Sequence, residues 1–578
     1  MLTNHLYDAE LRLLKDLAVE FSLANPALAP LLEGEMADPD VERLLEAIVY
    51  QNAMLRRKLD ADFPELVNKL THLILPHYLR SIPASTIIAF TPNVAMRETV
   101  LIPAGAVVAS APVDGTPCRF TTTCDVAVHP LELVDADLVK QARNSGQIRL
   151  SLVLSGTSLA EWQPEKLQFF LSGDHASASE LYLLLSRYLK RIILTPAEGG
   201  AAMVLPPSCL KSTGFAENEA LLPYPPHAFS GYRLLQEYFT APEKFLFFEL
   251  SGWGNWECRG EGSSFTITFE FNEFPAGYPR IRRESFALHC VPAINIFSHQ
   301  AYPISLDHRA DSYLVRPAGS NPAHYQVLSV DSVTGFSHKH RAERRYHAFE
   351  QFDTDLEAVP LYHTVQEKSP HGSNVDIHLS IVFPEEIPPA DSETLSIDLT
   401  CTNGPLPESL HIGDICLPVS GLPDMVSLRN ITAITPRVLP PFGPNQLWQL
   451  TTHLYLNHLS LENVEHLRTL LELYVFPDNR SGAAMGANLK RIAGIESLGI
   501  TAAEQLVSGI AMKGRDIGIR VRQDHFAGIG DLYLFGCVLD NFLGRYASLN
   551  TFIRLTINDS MRGGSLQWPI RLGRHLLR

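Results

Sequence analysis

Apolar and polar residues alternate along this chain with two different periods, and the switch between them divides it. Near the amino terminus the period is helical. Leu6, Leu13, Leu14, Leu17 and Phe21 fall on one side, with Glu10, Lys15, Asp16 and Glu20 between them, and Asn25-Pro26 ends the run. A second helix is predicted from Asp38. Asp38 can cap, Pro39 suits the first helical position, and Asp40 and Glu42 place negative charge in the first turn. Val41, Leu44, Leu45, Ile48, Leu55 and Leu59 then recur at helical spacing. Asp62 and Glu65 restart the pattern at capping-box spacing around Pro64; Leu66, Leu70, Leu73 and Ile74 continue it, and Pro76 stops it. Two helices with almost no loop between them make an αα-hairpin or an angled pair.

From Thr86 the period drops to two. Thr86–Phe90, Thr99–Ile102, Arg119–Thr123, Asp125–His129, Gln147–Gly156 and Leu167–Gly173 read as strands, followed by a helix over Ser179–Lys190. In Gly231–Leu250 (GYRLLQEYFTAPEKFLFFEL) a short helix breaks at Pro242 and a buried strand follows. Ser264–Glu273, Leu288–Phe297, Val375–Phe383 and Thr394–Cys401 continue the strands. Prolines are dense from Gly404 to Pro444, which predicts an extended crossing. After Gln446 two helices are expected up to Tyr474. Strands are expected over Gly514–Arg522 and Gly530–Val538 (GDLYLFGCV), then a helix over Leu539–Ile553.

The fold class expected is therefore α+β and multidomain, with β-rich middle domains, an amino-terminal helical layer and a mixed carboxy-terminal part. The divisions are a helical segment at 1–85, a β-rich domain at 86–230, a second at 231–403, a Pro-rich crossing at 404–445 and an α+β domain at 446–578. The 40 prolines and 36 glycines, spread throughout, favour this loop-rich plan over one long bundle.

Composition narrows the function classes. A net charge of −16 disfavours a nucleic-acid surface, and the densest basic run, His338–Arg345, reads as a solvated loop or partner-facing patch. Eight scattered cysteines show no Cys-x-x-Cys and no zinc spacing, which suits buried thiols in a reducing compartment. No basic-then-apolar leader is visible at the start, and no uncharged apolar run reaches the ~20 residues that span a bilayer, so a cytoplasmic protein is expected.

Candidate chemistry is sparse. There is no HExxH, no G-x-S-x-G elbow and no phosphate-loop motif. Gly528-Ile-Gly530 begins like a dinucleotide fingerprint, but Tyr533 stands where the third glycine belongs, and a turn before the LYLFG segment is the reading. His338, His340 and His347 lack the further ligands a metal site needs, and His453 and His458 read as packing residues. Tyr232, Tyr238, Phe239, Phe245, Phe247 and Phe248 read as core. No catalytic, metal or cofactor residue is expected. The rivals are a β-rich carbohydrate-active hydrolase, to be recognised by a cleft with paired carboxylates, and a standalone binding module.

Literal wording carries more than pattern. DPDVERLLEA, then FPEL and LPHYLRSIPAS, resembles the amino-terminal signature of the TssF family (also called VasA or ImpG). LLQEYF…PEKFLFF resembles a second signature of that family, and LWQLTTHLYLNHLSL and LYLFGCVLDNFLGRYASLNTF two more, in family order. LHCVPAINIF and YPISL also match its wording. The resemblance implies a structural, non-enzymatic subunit of the type VI secretion baseplate, related to the wedge proteins of contractile phage tails. It implies wedges of two such chains and one TssG around the spike hub, joined through TssK to the membrane complex. With TssE these form the platform for sheath and tube. A wedge protein of another contractile injection particle is the alternative. Val41, Leu44, Leu45, Ile48, Leu55 and Leu59 are the candidate partner-binding residues; no membrane insertion is expected.

Overall fold

The structure is a computed structural model. It describes residues 11, 43, 46–52, 54, 55, 75 and 77–573, except 141–145, 225–228, 274–277, 308, 320, 338–342, 350–358, 370–374, 384–392, 441–462, 477–481, 508, 509 and 548–550. The chain divides into two compact units, one of residues 1–75 with 442–451, the other of residues 76–441 with 452–578. In the first unit the described residues between 46 and 55 are helical. The second unit is mixed α+β and rich in sheet.

Six strands form the first sheet, in the order Ile415–Ser420, Val107–Val113, Thr116–Thr122, Cys290–Ile294, Ser85–Pro92 and Val426–Asn430. Its alternating inward residues, among them Ile88, Phe90, Val108, Phe120, Val291 and Ile415, make one core. The buried Asn430 side chain accepts from Gly413 N (2.9 Å) and Ile415 N (3.1 Å), which draws the two outermost strands together. The stretch expected as an extended crossing supplies both of those outermost strands. Its prolines do not prevent this, because Pro418 sits on an edge strand and Pro405 and Pro407 in a turn.

Next come a five-stranded sheet (Met203–Leu205, Leu189–Pro196, Ser264–Phe271, Gly146–Leu154, Leu131–Lys140) and a four-stranded one (Leu210–Thr213, Phe247–Ser251, Lys166–Leu171, Phe286–Leu288). Phe169 and Phe269 pack edge to face between them at 6.4 Å. The expected helix begins earlier, at His175–Arg187, because Asp174 caps it by accepting from Ser177 N at 3.0 Å. A further sheet occupies residues 297–402. It is organised on Glu393–Thr402, which pairs antiparallel with Gln326–Ser337 and buries alternate residues.

The carboxy-terminal part corrects the sequence reading. GDLYLFGCV is not a strand: Ile529–Tyr546 is a single helix, and the strand follows it at Thr551–Asp559. That strand lies parallel to Ile510–Val521, and a parallel pair needs a crossover, which this helix supplies. The helix is buried on nearly every side, so it lacks the polar stripe that marks a helix in sequence. Its glycines are demanded by neighbours. A Cβ on Gly536 would come within 2.3 Å of the Trp568 ring, and one on Gly544 within 2.7 Å of Arg571. Gly528-Ile-Gly530 opens this helix rather than preceding a strand; a Cβ on Gly530 would meet the Ser179 and Glu180 backbone at 2.4 Å.

Two buried histidines hold the first sheet against its neighbour in their neutral form. His129 Nδ1 faces Thr99 Oγ1 (2.9 Å) and accepts from Trp162 Nε1 (3.3 Å), while His289 Nε2 accepts from His129 N (3.1 Å). Burial drags the His129 pKa down to about 4. Burial, followed by the charge of His129, takes His289 to about 3. Both folded values lie below the unfolded value of 6.5, so their contribution is complete above pH 6.5 and is lost as pH falls toward 4 and then 3. We therefore expect thermal stability to decline from pH 6.5 to 4, by about 3 kcal/mol from His129 alone. Scanning calorimetry of His129→Gln/His289→Gln beside the parent should show a flatter slope in the variant; equal slopes would contradict the assignment.

Candidate interface and the core that supports it

Of the six candidate partner-binding residues, Val41, Leu44, Leu45 and Leu59 lie outside the described residues. Ile48 and Leu55 are described, helical and 45% and 65% exposed. Seven residues apart, they share one helix face. Tyr50 is 56% exposed, while Val49 is fully buried. The sequence reading did not pick Val49 out of the AIVY run, because both neighbours fit the apolar period as well.

In the second unit three of the four signature segments meet, with Tyr474 among them; LWQLTTHLYLNHLSL lies outside the described residues. His77 comes from LPHYLRSIP, Tyr232 from GYRLLQEYF and Tyr474 from the end of LRTLLELY. Their rings stack: His77–Tyr232 at 5.5 Å and 16°, Tyr232–Tyr474 at 5.5 Å and 19°. His77 Nε2 lies 3.1 Å from Tyr474 Oη, and Gln236 Nε2 donates to His77 O at 3.2 Å. Phe542, from the helix that carries the last signature, packs 6.1 Å from Tyr232. Segments far apart in sequence thus close on one aromatic cluster.

Beside it lies a buried charge cluster. Glu237 is fully buried on the Ser230–Thr240 helix. It accepts from Leu221 N (2.7 Å), Leu222 N (3.1 Å), Arg233 Nη1 (3.4 Å) and the Lys244 ammonium. Burial pulls the Lys244 pKa down, against the upward pull of Glu237. The helix break at Pro242 brings residues 237 and 244 together, which spacing alone does not announce. A second cluster centres on Asp531 in the first turn of Ile529–Tyr546. His175 Nε2 (2.9 Å), Arg491 Nε (2.9 Å) and Ala527 N (3.0 Å) surround its carboxylate. Burial opposes the charge, but the His175 hydrogen bond and the Arg491 and His175 charges hold its pKa at about 2.

Glu237 and Asp531 are both fully buried, each with its carboxylate engaged by the partners named. Among the described residues no group of three or more His, Cys, Asp and Glu is placed to hold a metal; His338 and His340 lie outside them, and His347 sits on the Glu343–Ala348 strand. His453 and His458 also lie outside the described residues. A cleft of about 470 Å³ is lined by Thr121, Thr123, Glu217, Leu222, Tyr224 and Arg233, among others, with Glu217 the one carboxylate among the described residues that line it. It lacks the carboxylate pair a glycosidase uses. No helix among the described residues is long and apolar enough to cross a membrane.

Residues 2–575 match the family model "Type VI secretion system, TssF". The chain belongs to the TssF family. The TssF family component TssF1 of Pseudomonas aeruginosa is 28% identical, with 98% of each chain covered. A chain in the cryo-electron microscopy structure of a type VI TssK-TssF-TssG baseplate subcomplex is 30% identical, with 92% of this chain and 98% of that one covered at a TM-score of 0.79. A chain in a type VI baseplate complex is 25% identical, with 99% and 100% covered and a TM-score of 0.59. The TssF resemblance of the ordered signatures therefore holds across the whole chain.

Removing one partner of a buried ionic cluster costs more than the cluster's net worth, because it strands the others. Asp531→Asn should lower the opening free energy of the carboxy-terminal helix and strand by about 3 kcal/mol. Native-state hydrogen exchange over 529–557 at pH 7 reads this directly. Since the Asp531 pKa is depressed from 3.8 to about 2, its contribution is complete above pH 4 and lost as pH falls toward 2.

Proposed function

We infer that this chain is a structural subunit of the type VI secretion baseplate, working in the cytoplasm through contact surfaces and not through an active site. The observation that carries the reading is the whole-length likeness, in sequence and fold, to the TssF chain of a TssK-TssF-TssG subcomplex. TssG and TssK are accordingly its direct partners. The finer assembly follows the family: two copies with one TssG in each wedge, wedges around the spike hub, and a platform with TssE for sheath and tube.

Of the segment expected at 1–85, residues 1–75, the part that lies in the first unit, are what we assign to the bundle holding the wedge together. Ile48 and Leu55 support this, because large apolar side chains left exposed on one face of a helix suit a face that a partner covers. In the sequence Val41, Leu44, Leu45 and Leu59 recur with them at helical spacing. The net charge of −16 fits protein partners better than nucleic acid.

Size-exclusion chromatography with light scattering, on the chain alone and co-expressed with its TssG, tests the reading. A stable 2:1 complex is expected. Ile48→Asp/Leu55→Asp should keep the parent circular dichroism spectrum, since both side chains are exposed, while weakening the complex at least about tenfold. Undiminished complex formation by the double variant would remove this helix from the interface; no complex with the parent chain would overturn the wedge itself.

A further inference from the structure

The chain passes between its two units at three points: Leu75–Pro76, Pro441–Phe442 and Thr451–Thr452. Shortly inside the second unit, the first two of these passages are joined. Ile82 and Val438 exchange both main-chain hydrogen bonds, each 2.9 Å. Ser85–Pro92 and Val426–Asn430 are also paired antiparallel, as far as Ile88 opposite Asn430. Between that pair and the Ile82–Val438 bridge lie five residues on one strand and seven on the other. The mismatch interrupts the regular ladder.

Hydroxyls carry the ladder across the interruption. Ile87 N donates to Thr432 Oγ1 (2.9 Å), and Ser85 N donates to Thr435 Oγ1 (2.9 Å). Thr86 Oγ1 donates to Thr432 O (3.0 Å) and stands 2.9 Å from Thr432 Oγ1. Ser85 Oγ lies 3.0 Å from Thr435 Oγ1, and Thr435 N donates to Ser85 O at 2.9 Å. Ser85 and Thr86 are each only 4% exposed, so water does not readily replace these partners. Side-chain hydroxyls can take such main-chain roles wherever a strand leaves its register.

We propose that residues 82–87 and 432–438 form a hydroxyl-clasped neck, a two-stranded ribbon that binds two chain passages into one cooperative element. Neither passage loosens without the other, so a load or motion reaching one is shared by both. The clasp is independent of which partners the chain binds, and its donors and acceptors all lie inside the second unit.

Hydrogen exchange with mass spectrometry on the full-length chain tests this. Thr432→Val/Thr435→Val removes two hydroxyls at nearly constant volume. It should speed exchange at Ser85 and Ile87, which lose acceptors, and also at Ile82 and Val438, which the hydroxyls do not touch, all by roughly tenfold. Amides of the distant Ile510–Val521 strand should keep their rates. Faster exchange at Ser85 and Ile87 alone would make the threonines local caps and overturn the clasp, as would no change at any of the four. Should the double variant not fold, Thr86→Val interrupts the same ring of hydroxyls and is read at the same four amides.

Discussion

Glu237 is a fully buried carboxylate, and the segments around it are arranged to satisfy it. Two basic side chains and two main-chain N–H groups point at its oxygens. Arg233 lies one helical turn before it, Lys244 lies beyond the break at Pro242, and the N–H groups belong to Leu221 and Leu222. Meeting all four fixes the helix, the turn after it and the segment before it in one geometry. Such a cluster is weak evidence of net stability, since apolar replacements can do as well, but breaking it is costly. Its effect is specificity: few other arrangements of these segments leave Glu237 satisfied.

The aromatic cluster depends on that geometry. Tyr232 lies on the same helix as Glu237, and its ring is the surface against which His77, Tyr474 and Phe542 gather. Through them the end of the opening signature and the carboxy-terminal helices are tied to one point. The first sheet and the sheet over residues 297–402 each have a core of their own. A protein whose task is to hold partners at fixed positions needs its segments tied to one another, which this centre does.

Much of the sheet architecture was legible. Gln147–Gly156, Ser264–Glu273 and Val375–Phe383 alternate in sequence and all three are strands; the first and last bury alternate residues, while Ser264–Phe271 is buried on both faces over its second half. The Gly231–Leu250 helix was legible because Pro242 ends it. Ile529–Tyr546 was misread for a physical reason: burial on every side erases the period, and a run of Leu, Tyr, Phe and Val then favours a strand. The strands at 415–420 and 426–430 were hidden because dense prolines describe edges and turns as well as crossings. The spacing of Ile48 and Leu55 was legible, but their exposure was not, since period reports a face and not what covers it. Glu237, Lys244 and Asp531 were invisible as a set, because charges far apart in sequence meet only through the fold.

The central claim is that Glu237 and its cations act as one unit on which the surrounding packing relies. A double-mutant cycle of Glu237→Gln and Lys244→Met, with opening free energies from native-state hydrogen exchange across residues 230–250, measures this most directly. The account predicts that each single change is strongly destabilising and that the double change costs less than their sum by about 2 kcal/mol or more. Additive effects would contradict it, and would place the origin of this centre in the aromatic cluster alone.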